Sequence, residues 1–518
     1  MKYLPLDLST FSTMVTQNYV YVDKTEYIYH LFSGGSRLYF LARPRRFGKS
    51  LLISTLKELF LNNRELFKGL WIDSSDYQWI KYPVIHLDFA NIGHNTPDDL
   101  IANLSWKLKE IATLYNIDLS SAPTIHAQLN YLIEQLARNN KVVILVDEYD
   151  KPILDHINDL EKANNMRRTI AGIYDTIKSM DAYIRAVFVT GVTKFAKTSI
   201  FSGMNNLNDI SFDKQSASLL GYTEQELINY FGSYIDGIAK HENRSPDEVL
   251  DDMKRWYNGY QFSKLPVKVY NPFSTMYYLS KQELTNYWFK SGTPTFLIHL
   301  IKKQYIDLEQ IPTASIKTDS LDTFEIDNIP LIPLLFQTGY LTINDYNPKN
   351  NKITLNYPNY EVEESFTKHI VASLTDTTTT TIETTTDRLL NALNKQDLDN
   401  FCSLLQALFA RIPYTLRSNK ESYYHSLFQF LMNLLILETH SEVLTHNGRI
   451  DTVIQTDEYI YIFELKINKI AQEALDQILS KKYYASYLLN DKPIILVGLS
   501  FTTNEEHLAV SHVSQSTN

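Results

Sequence analysis

The stretch Arg43-Pro44-Arg45-Arg46-Phe47-Gly48-Lys49-Ser50 constrains this chain more than any other, because it ends as a phosphate-binding loop does and begins as one does not. Such loops read Gly-x-x-x-x-Gly-Lys-Ser/Thr, and Arg43 stands where the first glycine would. The flanks supply the required context. Leu38-Tyr39-Phe40-Leu41-Ala42 is a short apolar run suited to a buried strand, and residues 50–60 carry apolar side chains at helical spacing. A helix start presents unpaired N–H groups at the positive end of its dipole, which favours an anion. Gly48 lets the backbone approach closely, Lys49 reaches the β- and γ-phosphates, and the Ser50 hydroxyl suits Mg²⁺. Arg45, Arg46, Phe47 and Leu51 complete the expected nucleotide contacts.

A second segment, Lys141-Val142-Val143-Ile144-Leu145-Val146-Asp147-Glu148, is a β-branched run closed by two carboxylates. So apolar a run suits a central parallel strand, whose C-terminal end is where open α/β sheets bind ligands. Asp147 would hold Mg²⁺, and Glu148 would polarise the attacking water as a general base. A basic turn by chance, or an ordinary solvated Asp-Glu turn, explains either segment alone; the ordered pair is more specific. Residues 83–89 and 184–190 read as further strands of the same sheet, and Thr190 or Thr193 at the end of the latter would sense the γ-phosphate. Arg45, Arg46 and Arg185 are candidates to stabilise phosphate charge.

The C-terminal hundred residues hold a different chemistry. Gly448-Arg449-Ile450-Asp451 precedes Tyr459-Ile460-Tyr461-Ile462-Phe463-Glu464-Leu465-Lys466, where Glu464 and Lys466 project from one face of a strand. If residues 456–459 form a hairpin loop, Asp451 lies across from Glu464. Asp451 and Glu464 would hold Mg²⁺ or Mn²⁺, and Lys466 would position the metal-bound water or stabilise charge developing on a scissile phosphate. A surface hairpin with one ion pair is the plainer alternative for Glu-x-Lys alone.

These residues resemble a family of bacterial proteins that join an AAA-ATPase-like domain to a C-terminal nuclease-like domain of the PD-(D/E)xK superfamily. The likeness also rests on Tyr21-Val22-Asp23-Lys24-Thr25, Tyr149-Asp150-Lys151-Pro152, Ile200-Phe201-Ser202-Gly203, Trp256-Tyr257-Asn258-Gly259-Tyr260, Tyr270-Asn271-Pro272-Phe273-Ser274 and residues 286–294. It implies that the arginine-rich loop is a family trait. It also implies a role for Gln477, which with Tyr484 matches the family's Gln-x(6)-Tyr helix beside the active site. Glu421, opening what resembles the family's first nuclease helix, would complete the metal site, with Glu438 and Glu442 as rivals.

The expected fold is therefore α/β: a P-loop, AAA-like parallel-sheet domain over residues 1–212, a helical lid or winged-helix-like region over 213–375, a Thr-rich connection and helical linker over 376–412, and a restriction-endonuclease-like domain over 413–518. A chain of 518 residues is too long for one ordinary core. A single cysteine, Cys402, excludes an internal disulfide, and with no signal-peptide or bilayer-spanning pattern this predicts a cytoplasmic protein without membrane contact. The net charge of −10 argues against nonspecific coating of nucleic acid but allows a local basic groove. The expected function is ATP binding or hydrolysis gating a metal-dependent nuclease, with ATP and Mg²⁺ as cofactors and DNA preferred to RNA as partner. The alternative is a non-catalytic nucleotide switch whose C-terminal domain binds nucleic acid or a protein. Oligomerisation is left open, since no second arginine motif demands a ring.

Overall fold

The computed structural model describes residues 2–195, 200–201, 206–290, 297, 300–301, 311, 313–321, 326–412, 427–435, 452–503 and 508–517. The chain divides into two compact units, residues 1–296 with 314–361 and residues 297–313 with 362–518. The division falls upstream of the boundary expected at 375.

The first unit is built on a parallel sheet in the order β2-β3-β4-β1-β5, with β1 Leu38–Ala42, β2 Val84–Asp88, β3 Val142–Asp147, β4 Ile184–Gly191 and β5 Asn208–Asp209. The runs of β1 and β3 are buried along their whole length, as strands covered on both faces require. Helix Lys49–Phe60 lays Leu52, Ile53, Leu56, Leu59 and Phe60 into the core shared with β1, β3 and β4. Because β4 is inserted between the loop strand and the acidic strand, Leu41 pairs with Thr190 while Val146 pairs with Val189. Three strand ends thus converge on one edge.

The remainder of this unit combines helices with a small sheet. Helices Glu224–Glu242 and Pro246–Tyr257 each begin with a capping box, Thr223 with Glu226 and Ser245 with Glu248. Helix Pro272–Lys281 is capped by Asn271. Helix Leu331–Thr338 precedes an antiparallel hairpin of β7 (Thr342–Asn347) and β8 (Lys352–Asn356), to which β6 (Ser315–Lys317) adds a third strand.

In the second unit a mixed sheet runs β12-β11-β10-β9, with β9 Thr452–Gln455, β10 Ile460–Ile467, β11 Ile494–Thr503 and β12 Leu508–Thr517. β10 and β11 are parallel and joined by helix Ala471–Lys481; both outer pairs are antiparallel. The threonine run, expected as an exposed connection, is instead helix Thr379–Asn394, with Thr378 capping it and Ile382, Thr386, Leu389 and Leu393 buried. Thr384, Thr385 and Thr386 each donate a hydroxyl to the carbonyl four residues back, at 2.7–2.9 Å, so the run satisfies its polar groups inside the helix. The helical stretch expected over 388–411 is broken: a second helix, Leu398–Phe409, starts afresh at an Asp397 cap.

Candidate nucleotide and metal sites

Gly48, left-handed at φ +92°, turns the loop into helix Lys49–Phe60. Lys49 is buried, and its Nζ donates to the carbonyls of Arg43 at 3.0 Å and Pro44 at 2.9 Å. Burial lowers its pKa, and the nearby Glu148, Asp147 and Asp150 oppose that shift. Arg43 faces inward. It donates to the carbonyls of Ala42 (2.9 Å), Ser211 (2.7 Å) and Ser216 (3.1 Å), and its guanidinium lies 4.3 Å over the Phe262 ring. The residue that replaces the usual glycine is thus a buried anchor, which explains why a bulky cation is tolerated there.

The loop is clasped by the region that follows the parallel sheet. The Phe47 ring meets Tyr260 at 4.7 Å and Phe262 at 5.2 Å, both edge-on. Pro44 packs against Gly339, and the Trp288 indole donates from Nε1 to the Arg45 carbonyl at 3.0 Å. Arg46, with φ +66°, rests its guanidinium 4.6 Å over Phe273. Sequence reading missed Phe262, Phe273 and Trp288 as loop partners. The aromatic motifs containing the last two were visible, but nothing local showed what they touch.

At the end of β3, Asp147 is buried and accepts the Thr190 hydroxyl at 2.5 Å and the Glu148 N–H at 3.1 Å. Burial raises the Glu148 carboxyl, with Lys49 opposing. Asp150, also buried, accepts from the Val192 and Thr193 N–H groups and the Thr193 hydroxyl at 2.6–3.0 Å, although burial still raises its pKa. Both sensor candidates therefore hold carboxylates: Thr190 fixes Asp147, and Thr193 fixes Asp150. Arg185 is the second residue of β4, at the end of the strand away from Thr190. It lines a separate cleft with Arg37 and Lys141, so a phosphate at the loop is beyond its reach.

A cavity of about 500 Å³ opens on the loop. Its lining mixes charged residues, among them Arg45, Arg46, Lys49, Glu148 and Lys151, with apolar Leu6, Val22, Leu220, Phe273 and Met276. Asp147 and Thr190 are not among the lining residues. Lys24, from the Tyr-Val-Asp-Lys-Thr motif, contributes to the wall and is held by Glu226 (2.6 and 2.8 Å) and the Ser218 carbonyl (2.7 Å). Asp23 of that motif caps Thr25 and accepts the Trp71 N–H at 2.6 Å.

In the second unit the hairpin loop is residues 456–459, with Gln455 paired to Ile460 and Thr452 to Phe463. Glu464 is buried, and its Oε1 accepts from Lys466 Nζ at 3.2 Å and from Gln477 Nε2. Three of the expected residues are thus brought together. Asp451, Glu421, Glu438 and Glu442 lie outside the described residues. Gln477 reaches Glu464 because helix Ala471–Lys481 rides directly on β11 at Gly498, the register partner of Glu464. A Cβ there would lie 2.3 Å from the Ala471 carbonyl and 2.6 Å from the Leu475 nitrogen. Gly498 was missed, yet a glycine inside Ile494-Ile495-Leu496-Val497-Gly498-Leu499 is a signal of close backbone approach.

Residues 5–201 match the family described as predicted AAA-ATPase, and residues 419–510 match the PD-(D/E)XK nuclease superfamily. Over 517 residues the chain is 35% identical to an "Uncharacterized protein in vnfD 5'region" of Azotobacter chroococcum mcd 1, covering 97% of this chain and 96% of that protein. Among solved structures, the ORC2 protein of Aeropyrum pernix (ADPNP-ADP complexes) aligns at 14% identity and a TM-score of 0.24, over 65% of this chain and 87% of that one.

Proposed function

The chain belongs to the family that joins a predicted AAA-ATPase domain to a C-terminal domain of the PD-(D/E)XK nuclease superfamily, and on that premise we propose that nucleoside triphosphate bound by the first controls metal-dependent cleavage of nucleic acid by the second. The observation that carries this reading is the electrostatic proximity of Lys49 to Glu148, Asp147 and Asp150 beside a cavity lined by both charged and apolar side chains. About 500 Å³ lies within the roughly 300–1,000 Å³ of small-ligand clefts, and a lining of both charged and apolar residues suits a triphosphate and a base.

Lys49 would exchange the Arg43 and Pro44 carbonyls for β- and γ-phosphate oxygens, while the N–H groups opening helix Lys49–Phe60 face the anion. Glu148, its pKa raised by burial, would take the proton of the water that attacks the γ-phosphorus as the β–γ bridging bond breaks. Ser50 and Asp147 are the hard oxygen donors that suit Mg²⁺, which when bound would offset charge on the phosphates. Thr190 would keep Asp147 in place for it. In the second unit Gln477 and Lys466 orient Glu464, which with Asp451 and Glu421 would bind Mg²⁺ or Mn²⁺. Lys466 would also stabilise negative charge on the phosphodiester. DNA is the first substrate to test.

Lys49→Ala in the full chain is expected to abolish ATP binding by calorimetry, and Glu464→Gln or Asp451→Ala to abolish cleavage. A Lys49→Ala protein with wild-type ATP affinity sinks the first assignment. No cleavage by the wild type of single- or double-stranded DNA or RNA, with ATP and either Mg²⁺ or Mn²⁺, sinks the second. Steady-state ATP turnover with and without DNA separates hydrolysis from simple switching.

A further inference from the structure

The buried Glu361 carboxylate joins two arms that end on neighbouring loop residues. Its Oε1 accepts the Trp288 backbone N–H at 2.6 Å, and the Trp288 indole donates to the Arg45 carbonyl at 3.0 Å. Its Oε2 accepts the Ser274 hydroxyl at 2.8 Å, and the adjacent Phe273 lies under the Arg46 guanidinium. The Arg45 carbonyl and the Arg46 N–H share one rigid peptide plane, so fixing the carbonyl fixes where that N–H points. In a phosphate loop the direction of the backbone N–H groups is what binds the anion. Glu361 is also the last residue of the first unit before the chain passes into the second at Val362.

We propose that Trp288 is a positioning residue of the nucleotide loop, fixed through its backbone by Glu361, and that loop occupancy is thereby felt where the chain leaves the first unit. The inference rests on the reading that the loop binds nucleoside triphosphate. Around the carboxylate stand Tyr257 and Tyr260 from residues 256–260, and Tyr287 and Lys290 from helix Tyr287–Lys290. Burial is the largest influence on the carboxyl and pushes its pKa up to about 8, while Ser274, the Trp288 and Phe289 N–H groups and Lys290 oppose.

The test uses the full chain, ATP with Mg²⁺, calorimetry and tryptophan emission. Trp288→Phe removes the indole donor and is expected to weaken ATP binding about 5-fold, the worth of one ordinary hydrogen bond. The emission change on ATP binding should vanish in Trp288→Phe and persist in Trp106→Phe, whose side chain is exposed on helix Pro97–Leu114. Glu361→Ala removes both acceptors, keeps the indole and should lose most of that emission change. If the wild type binds no ATP, the underlying reading fails. If ATP binds and Trp288→Phe matches the wild type in affinity and emission response, this inference alone fails. Should Trp288→Phe not fold, a full emission response in folded Glu361→Ala overturns it.

Discussion

Thr190 shows how a single hydroxyl changes meaning once its partner is known. Read along the chain it is a strand-end sensor; in the fold it donates to Asp147 from the strand inserted between the loop and the acid. A hydrogen bond to a charged group is worth about 1.5–3 kcal/mol. Thr190→Val keeps the shape and removes that bond, so the Mg²⁺ concentration needed for half-maximal ATP binding should rise on the order of 10-fold. An unchanged Mg²⁺ titration would mean that Asp147 needs no such support. Arg43 carries the same lesson: its charge was legible, but its acceptors, Ser211 and Ser216, lie far along the chain.

Among elements, the contact of helix Ala471–Lys481 with β11 is sensitive to single-atom change. Gly498→Ala would drive a methyl group into helix backbone, which cannot rotate away as a side chain does. Overpacking of this kind costs about 1–3 kcal/mol, and a shift of the helix that relieves it would carry Gln477 off Glu464. Thermal unfolding should drop by several degrees and cleavage should fall with it; a variant as stable and active as the parent would contradict the packing argument. The strands and the loop-to-helix turn were readable because their signals are local: apolar runs, glycine, and residues paired at period two. The threonine helix was not, because polar composition masked the apolar spacing of Ile382, Leu389 and Leu393. The hairpin register was legible from loop length, whereas Gln477 meeting Glu464 required a parallel crossover that no local pattern shows.

For the molecule as a whole, buried carboxyls set the response to pH. Glu361, moved by burial from 4.5 to about 8, holds its proton more tightly folded than unfolded. Its contribution is full below the unfolded value and is lost as pH rises through the folded one, on the order of a few kcal/mol in all. Glu148 and Asp150, raised by burial, pull in the same direction. Stability from urea unfolding should therefore decline between about pH 5 and 8, and Glu361→Gln should flatten part of that decline; parallel profiles would refute it.

The clasp on the loop also bears on how the chain can be divided. Residues 5–201 match one family, which invites their expression as a stand-alone ATPase. Cut there, Phe47 would lose Tyr260 and Phe262, Arg43 would lose Ser211 and Ser216, and the Arg45 carbonyl would lose Trp288. The loop's partners extend to Trp288 and to Gly339, which packs on Pro44, so its surroundings reach well beyond the stretch its sequence advertises.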